Sequence, residues 1–292
     1  MQFESLKMFC DLAETESFTR AAQINGVTQS AVSQTISALE SHFKSLLLER
    51  SKKNFRLTPE GEVLYDYSKR ILQSYGAINS KLQELKGVVS GTIRLATVYS
   101  IGLHELPPYI KRFLQEHSGV HVHVEYRRNN RVYEDVLGNI VDLGLVAYPN
   151  RDSRLETVPI SSDPLVVICH PQNPVAKQKS VKLKTLNGQK LISFEQDMPT
   201  RKALDKIFKD HDVTVEHVRE FDNIETLKRV VELDSGIAIV PEETVRLEVS
   251  TGTLATVPLE GKYCRHLGVI YKKGKVLSPA IKLFIEMLKK PI

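Results

Sequence analysis

Residues 17–61, SFTRAAQINGVTQSAVSQTISALESHFKSLLLERSKKNFRLTPEG, constrain this chain more tightly than any other stretch. Phe3, Leu6, Phe9, Leu12 and Ala13 precede them at helical spacing and predict a support helix. Ser17 is placed to cap a second helix, in which Ala21 and Ala22 are small enough for close helix–helix approach. Asn25-Gly26 signals a turn, because both residues tolerate positive φ. Thr28 then caps a third helix, predicted over Gln29 to His42. Val32, Ile36 and Leu39 form its apolar stripe, while Gln29, Ser30, Ser33, Gln34 and Ser37 fall on the opposite face.

That polar face is unusual in being nearly free of charge. A merely solvated helix face carries Glu and Lys, whereas short hydroxyls and amides hydrogen-bond base edges, Gln suiting adenine and Ser either partner. Leu46–Leu48 and Asn54–Leu57 predict two short strands around the turn Ser51-Lys52-Lys53. Arg50, Lys52, Lys53 and Arg56 set four positive charges within seven residues beside the third helix. In that position they suit phosphates or the minor groove. The expected partner is double-stranded DNA, with Thr28, Gln29, Ser30, Ser33, Gln34 and Ser37 on the reading helix and Arg50, Lys52, Lys53 and Arg56 on the wing.

Together these residues resemble the LysR-type transcriptional regulators, and the resemblance covers essentially the whole chain. The family pattern SF-x-x-AA-x-x-L-x-x-[TS]-Q-[PS]-A-[VL]-S-x-x-I-x-x-LE is met by Ser17-Phe18, Ala21-Ala22, Thr28 through Ser33, Ile36 and Leu39-Glu40. Leu47 and Arg50 follow in the wing, and Thr58-Pro59-Glu60-Gly61 starts the next helix. Lys44 stands where the family usually has Gly, Leu48 where it has Phe, and Ile24 where it has Leu. The resemblance implies an α/β architecture in three parts. A winged helix-turn-helix spans 1–58, a linker helix 59–90 and an effector-binding regulatory domain 91–292. It further implies two Rossmann-like subdomains of periplasmic-binding-protein type, I over 91–161 and 267–292 and II over 162–266. They are joined by crossings near Ser161-Ser162 and Arg265-His266.

Net charge adds little to the DNA argument. Residues 1–60 carry seven acids (Glu4, Asp11, Glu14, Glu16, Glu40, Glu49, Glu60) and seven bases (Lys7, Arg20, Lys44, Arg50, Lys52, Lys53, Arg56). Where those charges sit carries the argument, and bulk basicity does not. At 292 residues the chain has room for two or three compact units. No run reaches the roughly 18 apolar residues of a membrane span. The N-terminus has acids within it and no apolar core, so it does not read as a secretory signal. The cytoplasm is the expected location; that it is a bacterial one, with the DNA-bound protein in the nucleoid, is what the resemblance implies.

The linker helix begins at Thr58-Pro59, with Glu60 and Glu62 complementing its N-terminal dipole. Leu64, Ile71, Ile78 and Leu85 repeat every seven residues, and Tyr75, Leu82 and Val89 form a second line. Such a seam on so long a helix predicts pairing with a second copy, and a dimer matches two half-sites of an inverted repeat. The resemblance extends this to a dimer of dimers, with RNA polymerase as a further partner.

Beyond Ser90-Gly91 strands alternate with helices, which predicts parallel sheets with helices on both faces. Ligands of such sheets sit at strand carboxyl ends against helix N-termini. Thr97-Val98-Tyr99-Ser100 ends the first strand, Tyr148 follows the strand 143–147, and Thr200-Arg201 opens a helix after the strand 191–194. Hydroxyls and free backbone amides there bind carboxylate, sulfate or phosphate, and Arg201 adds a bidentate charge. The expected effector is a small anion held by Ser100, Thr200 and Arg201 with Thr97, Tyr99 and Tyr148 nearby. Asp197 at the edge favours one that also carries an amine or hydroxyl.

Other signals are weaker. His121 and His123 face one side of a strand with no carboxylate or Cys pair nearby in sequence, so no metal is expected. Cys10, Cys169 and Cys264 form no disulfide framework. Cys169 and Cys264 lie near the two crossings, which keeps a redox-responsive regulator as an alternative. A pure solute-binding protein is a remote one. No dinucleotide loop, P-loop or nucleophile elbow appears, so neither a cofactor nor an enzyme is expected.

Overall fold

The computed structural model describes residues 3–49, 56–85 and 89–290. The chain divides into two compact units, one over residues 1–88 with 276–278 and one over 89–275 with 279–292.

The first unit is helical. Helix α1 (Phe3–Thr15), α2 (Phe18–Asn25) and α3 (Gln29–Phe43) pack around Leu6, Phe9, Leu12, Ala21, Val32, Ile36 and Leu39. Ser17 and Thr28 cap α2 and α3, accepting from the amides of Arg20 and Ala31. Gly26 ends α2 with φ 63°, and its amide returns to the last turn of that helix. Lys44 holds the equivalent left-handed position after α3, with φ 52°. A side chain with a Cβ sits there at a cost that glycine would not meet.

Leu47 closes the core beneath α3, its amide held by the Glu40 carboxylate at 3.0 Å. Leu48 and Leu57 then pair antiparallel, and the Glu49 amide donates to the Arg56 carbonyl at 3.0 Å. This is the neck of the expected wing; Asn54 and Phe55 of its second strand lie outside the described residues. Arg50, Lys52 and Lys53 lie outside the described residues. Helix α4 (Pro59–Leu85) begins where Thr58 Oγ1 accepts from the Gly61 amide at 3.0 Å. A Cβ on Gly61 would lie 2.1 Å from the Leu47 carbonyl oxygen, so only glycine lets the helix start this close to the wing.

The seam on α4 differs from the expected heptads. Leu64 packs into the helical core, and Val89 lies beyond the helix end. Val63, Tyr67, Ile71, Tyr75, Ile78 and Leu82 instead form one exposed apolar line, each 45% or more accessible. Their spacing of three or four residues puts them on one face.

The second unit has a mixed sheet. Strands β1 (Ser90–Thr97), β2 (Gly119–Tyr126) and β3 (Leu143–Ala147) are parallel, with α5 (Leu106–Glu116) and α6 (Asn129–Leu137) in the crossovers. The parallel pairs expected from the strand–helix alternation form here and once more later in the chain, but antiparallel strands join them. Strand β4 (Leu155–Cys169) and strand β9 (Cys264–Lys272) run antiparallel as a long pair, and β9 also lies antiparallel to β3. Between them come β5 (Lys190–Phe194), α7 (Pro199–Asp210), β6 (Glu216–Phe221), α8 (Ile224–Val231), β7 (Ala238–Pro241), α9 (Arg246–Thr251) and β8 (Ala255–Pro258). β5 and β6 are parallel, while β7 and β8 flank the far half of β4 antiparallel. Helix α10 (Pro279–Leu288) covers β1.

One core gathers Ala96, Val132, Val136, Val146 and Ile270, and two others form in the later segment around Val167 and Leu204 and around Ile168 and Leu227. The β4–β9 pair links these cores. Its register sets Ser162 opposite His266 and Asp163 opposite Arg265, with a bulge between Pro159 and Ser161.

Candidate functional site

The first candidate site is the outer face of α3. Thr28, Gln29, Ser30, Ser33, Gln34 and Ser37 are all exposed, while Val32, Ile36 and Leu39 on the same helix are buried. Thr28 and Ser30 hydroxyls lie 2.9 Å apart at the helix start, and Thr28 also serves as the cap. Arg56 is exposed at the neck of the wing. The face therefore offers uncharged donors and acceptors on a capped helix.

The second candidate site is a cavity of about 410 Å³ within the second unit. Four helical starts meet there: the turn after Ser100, α6 at Asn129, α7 at Pro199 and α8 at Ile224. Three of the four lack a side-chain cap: Ser100 and Arg128 make no capping bond, and Met198, which precedes α7, has no side chain able to make one. After Ser100 the Ile101 and Gly102 amides already donate to the Val98 carbonyl at 3.2 and 3.0 Å, so the starts of α6 and α7 are the open ones. Asn223 caps α8 through Thr226. Unpaired first-turn amides carry partial positive charge, so the convergence favours an anion.

Ser100 is held by a partner that sequence pattern alone does not single out. Arg265, only 1% exposed, donates from Nη1 to Ser100 Oγ at 2.8 Å and from Nη2 to Asp163 Oδ2 at 3.0 Å and Glu105 Oε1 at 3.2 Å. Its Nε is buried without a hydrogen-bond partner among the described residues. A hydroxyl that accepts from a guanidinium must donate its own proton elsewhere, and Ser100 lines the cleft. Burial, the neighbouring Asp163 carboxylate and a hydrogen bond to it push Glu105 up to about 7, against the opposing pull of Arg265. Below neutrality Glu105 therefore carries a proton.

Of the residues expected here, Tyr99, Ser100 and Thr200 line the cleft. Tyr99 stacks on Tyr126 with ring centroids 5.3 Å apart, and the Tyr126 ring fills the space a Cβ on Gly102 would need, 2.6 Å away. Thr97, Tyr148 and Arg201 do not line it, which corrects the expectation for all three. Thr97 is fully buried and its hydroxyl donates to the Leu145 carbonyl at 3.3 Å, tying β1 to β3. Tyr148 turns its hydroxyl to the Cys264 carbonyl at 3.4 Å, and burial pushes it up to about 12. Arg201 is spent on Asp205, Glu220 and the Phe194 carbonyl. The four-residue spacing of Arg201 and Asp205 signals that local pair in the sequence itself.

The redox alternative is also corrected. Cys264 pairs with Pro164, five residues along β4 from Cys169, which places the two cysteines roughly 16 Å apart. A disulfide needs Cα atoms within about 7 Å. Burial, followed by the Asp234 charge, pushes the Cys169 thiol up to about 11. His121 and His123 lie on the edge strand β2, and among the described residues no group of three or more His, Cys, Asp or Glu could hold a metal ion. No helix among them is long and apolar enough to cross a membrane.

Comparison with known proteins matches both parts of the chain. Residues 3–62 match the family of bacterial regulatory helix-turn-helix proteins of the lysR type, and residues 86–291 match the LysR substrate binding domain. A RuBisCO operon transcriptional regulator of Allochromatium vinosum is 30% identical over 289 residues, covering 99% of this chain and 95% of that protein. Full-length OxyR of Pseudomonas aeruginosa with a cysteine-to-aspartate substitution superposes with TM-score 0.77 at 19% identity, over 99% of this chain and 98% of that one. Full-length CbnR in complex with its target DNA superposes with TM-score 0.69 at 20% identity, over 99% of each chain. The chain thus belongs to the LysR family of DNA-binding transcriptional regulators, with an N-terminal helix-turn-helix and a C-terminal effector-binding domain.

Proposed function

We propose that this regulator is controlled by a small anionic metabolite bound in the cleft lined by Ser100 and Thr200. The observation that carries this is Ser100, whose hydroxyl accepts from Arg265 and is left to donate toward a ligand oxygen at converging helix starts. Asn129 lines the same cleft, and its Oδ1 is buried without a hydrogen-bond partner among the described residues. An effector bearing a hydroxyl or amine besides its acidic group meets that acceptor. A cavity near 410 Å³ suits a molecule of metabolite size.

In this reading the chain pairs through the exposed line on α4, since an apolar row of this length is otherwise left in water. Two reading helices then meet an inverted repeat, and two dimers assemble into a tetramer that influences RNA polymerase. The protein works in the cytoplasm and turns over no substrate. Effector binding acts by favouring one arrangement of the assembly over another.

The test is a titration of candidate metabolites into wild-type protein and a Ser100→Ala/Thr200→Ala variant, followed by calorimetry. Loss of binding in the variant supports the site. Equal affinity in both refutes it.

A further inference from the structure

Three arginines line the cleft among the described residues, and each is already neutralised. Arg127 is held by Glu125 and by Asp135, whose side chain is 8% exposed. Arg265 is held by Asp163 and Glu105, with side chains 2% and 16% exposed. An incoming anion that pulled either arginine from its acids would strand a buried carboxylate, at a penalty no small ligand recovers.

Arg128 differs. It precedes α6 and reaches across the cleft to Asp222 at 2.7 Å and Glu195 at 3.6 Å, both on the later segment that carries β5 and β6. Asp197 adds to the negative field around it. Arg128, Asp222 and Glu195 are each 40% or more exposed in their side chains. Exposed pairs of this kind are weak, and acids released from one return to water. The His104–Glu225 pair, 2.8 Å, involves the cleft residue Glu225, but His104 does not line the cleft and Glu225 is also tied to Lys228, which is 1% exposed. Arg128 is therefore the cleft cation an anion can claim at least cost.

We infer that Asp222 and Glu195 are a built-in competitor, occupying Arg128 in the empty cleft until the acidic group of the effector displaces them. This rests on the anionic-effector reading above. It makes Arg128 a specificity residue: a ligand must outcompete two carboxylates, so a neutral analogue gains nothing there. It also ties occupancy to movement, because the displaced contact is one that joins the two sides of the cleft.

The experiment uses full-length protein and inorganic phosphate as the probe, titrated by calorimetry at constant ionic strength. The proteins are wild type, Asp222→Asn/Glu195→Gln, the same pair with Arg128→Gln, and Ser100→Ala/Thr200→Ala. Freeing Arg128 is expected to tighten phosphate binding by about three- to tenfold in the charge-neutralised pair. Adding Arg128→Gln should abolish that gain. Unchanged or weaker binding in Asp222→Asn/Glu195→Gln, with wild-type binding still sensitive to Ser100→Ala/Thr200→Ala, overturns the competitor while leaving the anion site standing. Weakening would mean that Arg128 and Asp222 close over the bound anion instead. Phosphate binding that ignores Ser100→Ala/Thr200→Ala, or no saturable binding in wild type and Asp222→Asn/Glu195→Gln alike, overturns the anion site and the competitor together.

Discussion

Arg265→Met gives the sharpest test of the structure beneath the cleft. The substitution keeps length and apolar volume but removes the only cation that Asp163 and Glu105 share among the described residues. Asp163 is 3% exposed, so its charge would be buried without its guanidinium partner, and removal of one member of such a pair costs about 3–5 kcal/mol. The loss should depend on pH. In the folded wild type Glu105 lies at about 7 rather than 4.5, so the native state binds more protons than the unfolded chain between those values. Stability from this group is complete below about pH 4.5 and declines by up to about 3 kcal/mol as pH rises to 7. Without Arg265 the Asp163 charge acts on Glu105 unopposed, which raises the folded value of Glu105 further and steepens that decline. Urea unfolding followed by circular dichroism should therefore show a small loss for Arg265→Met near about pH 5 and a large one near about pH 8. Asp163→Asn added to Arg265→Met should recover part of the loss at the higher pH. A cost below about 1 kcal/mol, as for an exposed arginine, or one independent of pH, would refute the buried-cluster account.

Further outcomes follow from the first unit and from the cysteines. Gln29→Ala should relax preference at one position of each half-site by about 1–3 kcal/mol, measured by competition binding across operator variants; a uniform loss across sequences would remove Gln29 from base reading. Arg56→Ala should instead weaken all sequences alike and flatten the salt dependence of binding. Lys44→Gly should raise the unfolding free energy of the helical unit by roughly 0.5–1 kcal/mol, read as a higher denaturation midpoint, through relief of the left-handed φ of 52°, whereas Lys44→Ala should not. Ile78→Asp with Leu82→Asp should reduce the mass seen by light scattering to that of a monomer. Peroxide should leave the DNA footprint of wild type and of Cys169→Ser/Cys264→Ser identical, given the distance between the two thiols.

The helix-turn-helix was legible because every determinant is local. Caps at Ser17 and Thr28, the Asn25-Gly26 turn and the apolar stripe of α3 all act within a few residues, and each recurs in the structure. The first half of β4 was not legible. Pro159, Ser161, Ser162, Asp163 and Pro164 read as loop residues, yet β9 pairs with them throughout and supplies the order they lack by themselves. The sequence marks the crossing at Arg265-His266, but not Arg265 as part of the cleft. Its significance depends on Asp163 opposite it in register and on Glu105 and Ser100 more than 150 residues away. Arg201 shows the reverse error. A charged residue at a helix start suggests a ligand, but Asp205 one turn on and Glu220 across on β6 absorb the charge. Hydroxyls were located better than charges, since a hydroxyl at a helix start stays where the backbone puts it, while a long cationic side chain goes to the nearest acid.

On the function proposed above, occupation of the Ser100–Thr200 cleft alters how α3 is presented to DNA. Footprinting would check this with the full-length protein on the DNA upstream of its own gene, with and without cell-extract metabolites, beside the Ser100→Ala/Thr200→Ala variant. The expected result is protection of an inverted repeat by both proteins, with a pattern that changes on adding metabolites for wild type alone. An identical change in both proteins would contradict the claim by placing the responsive site elsewhere in the chain.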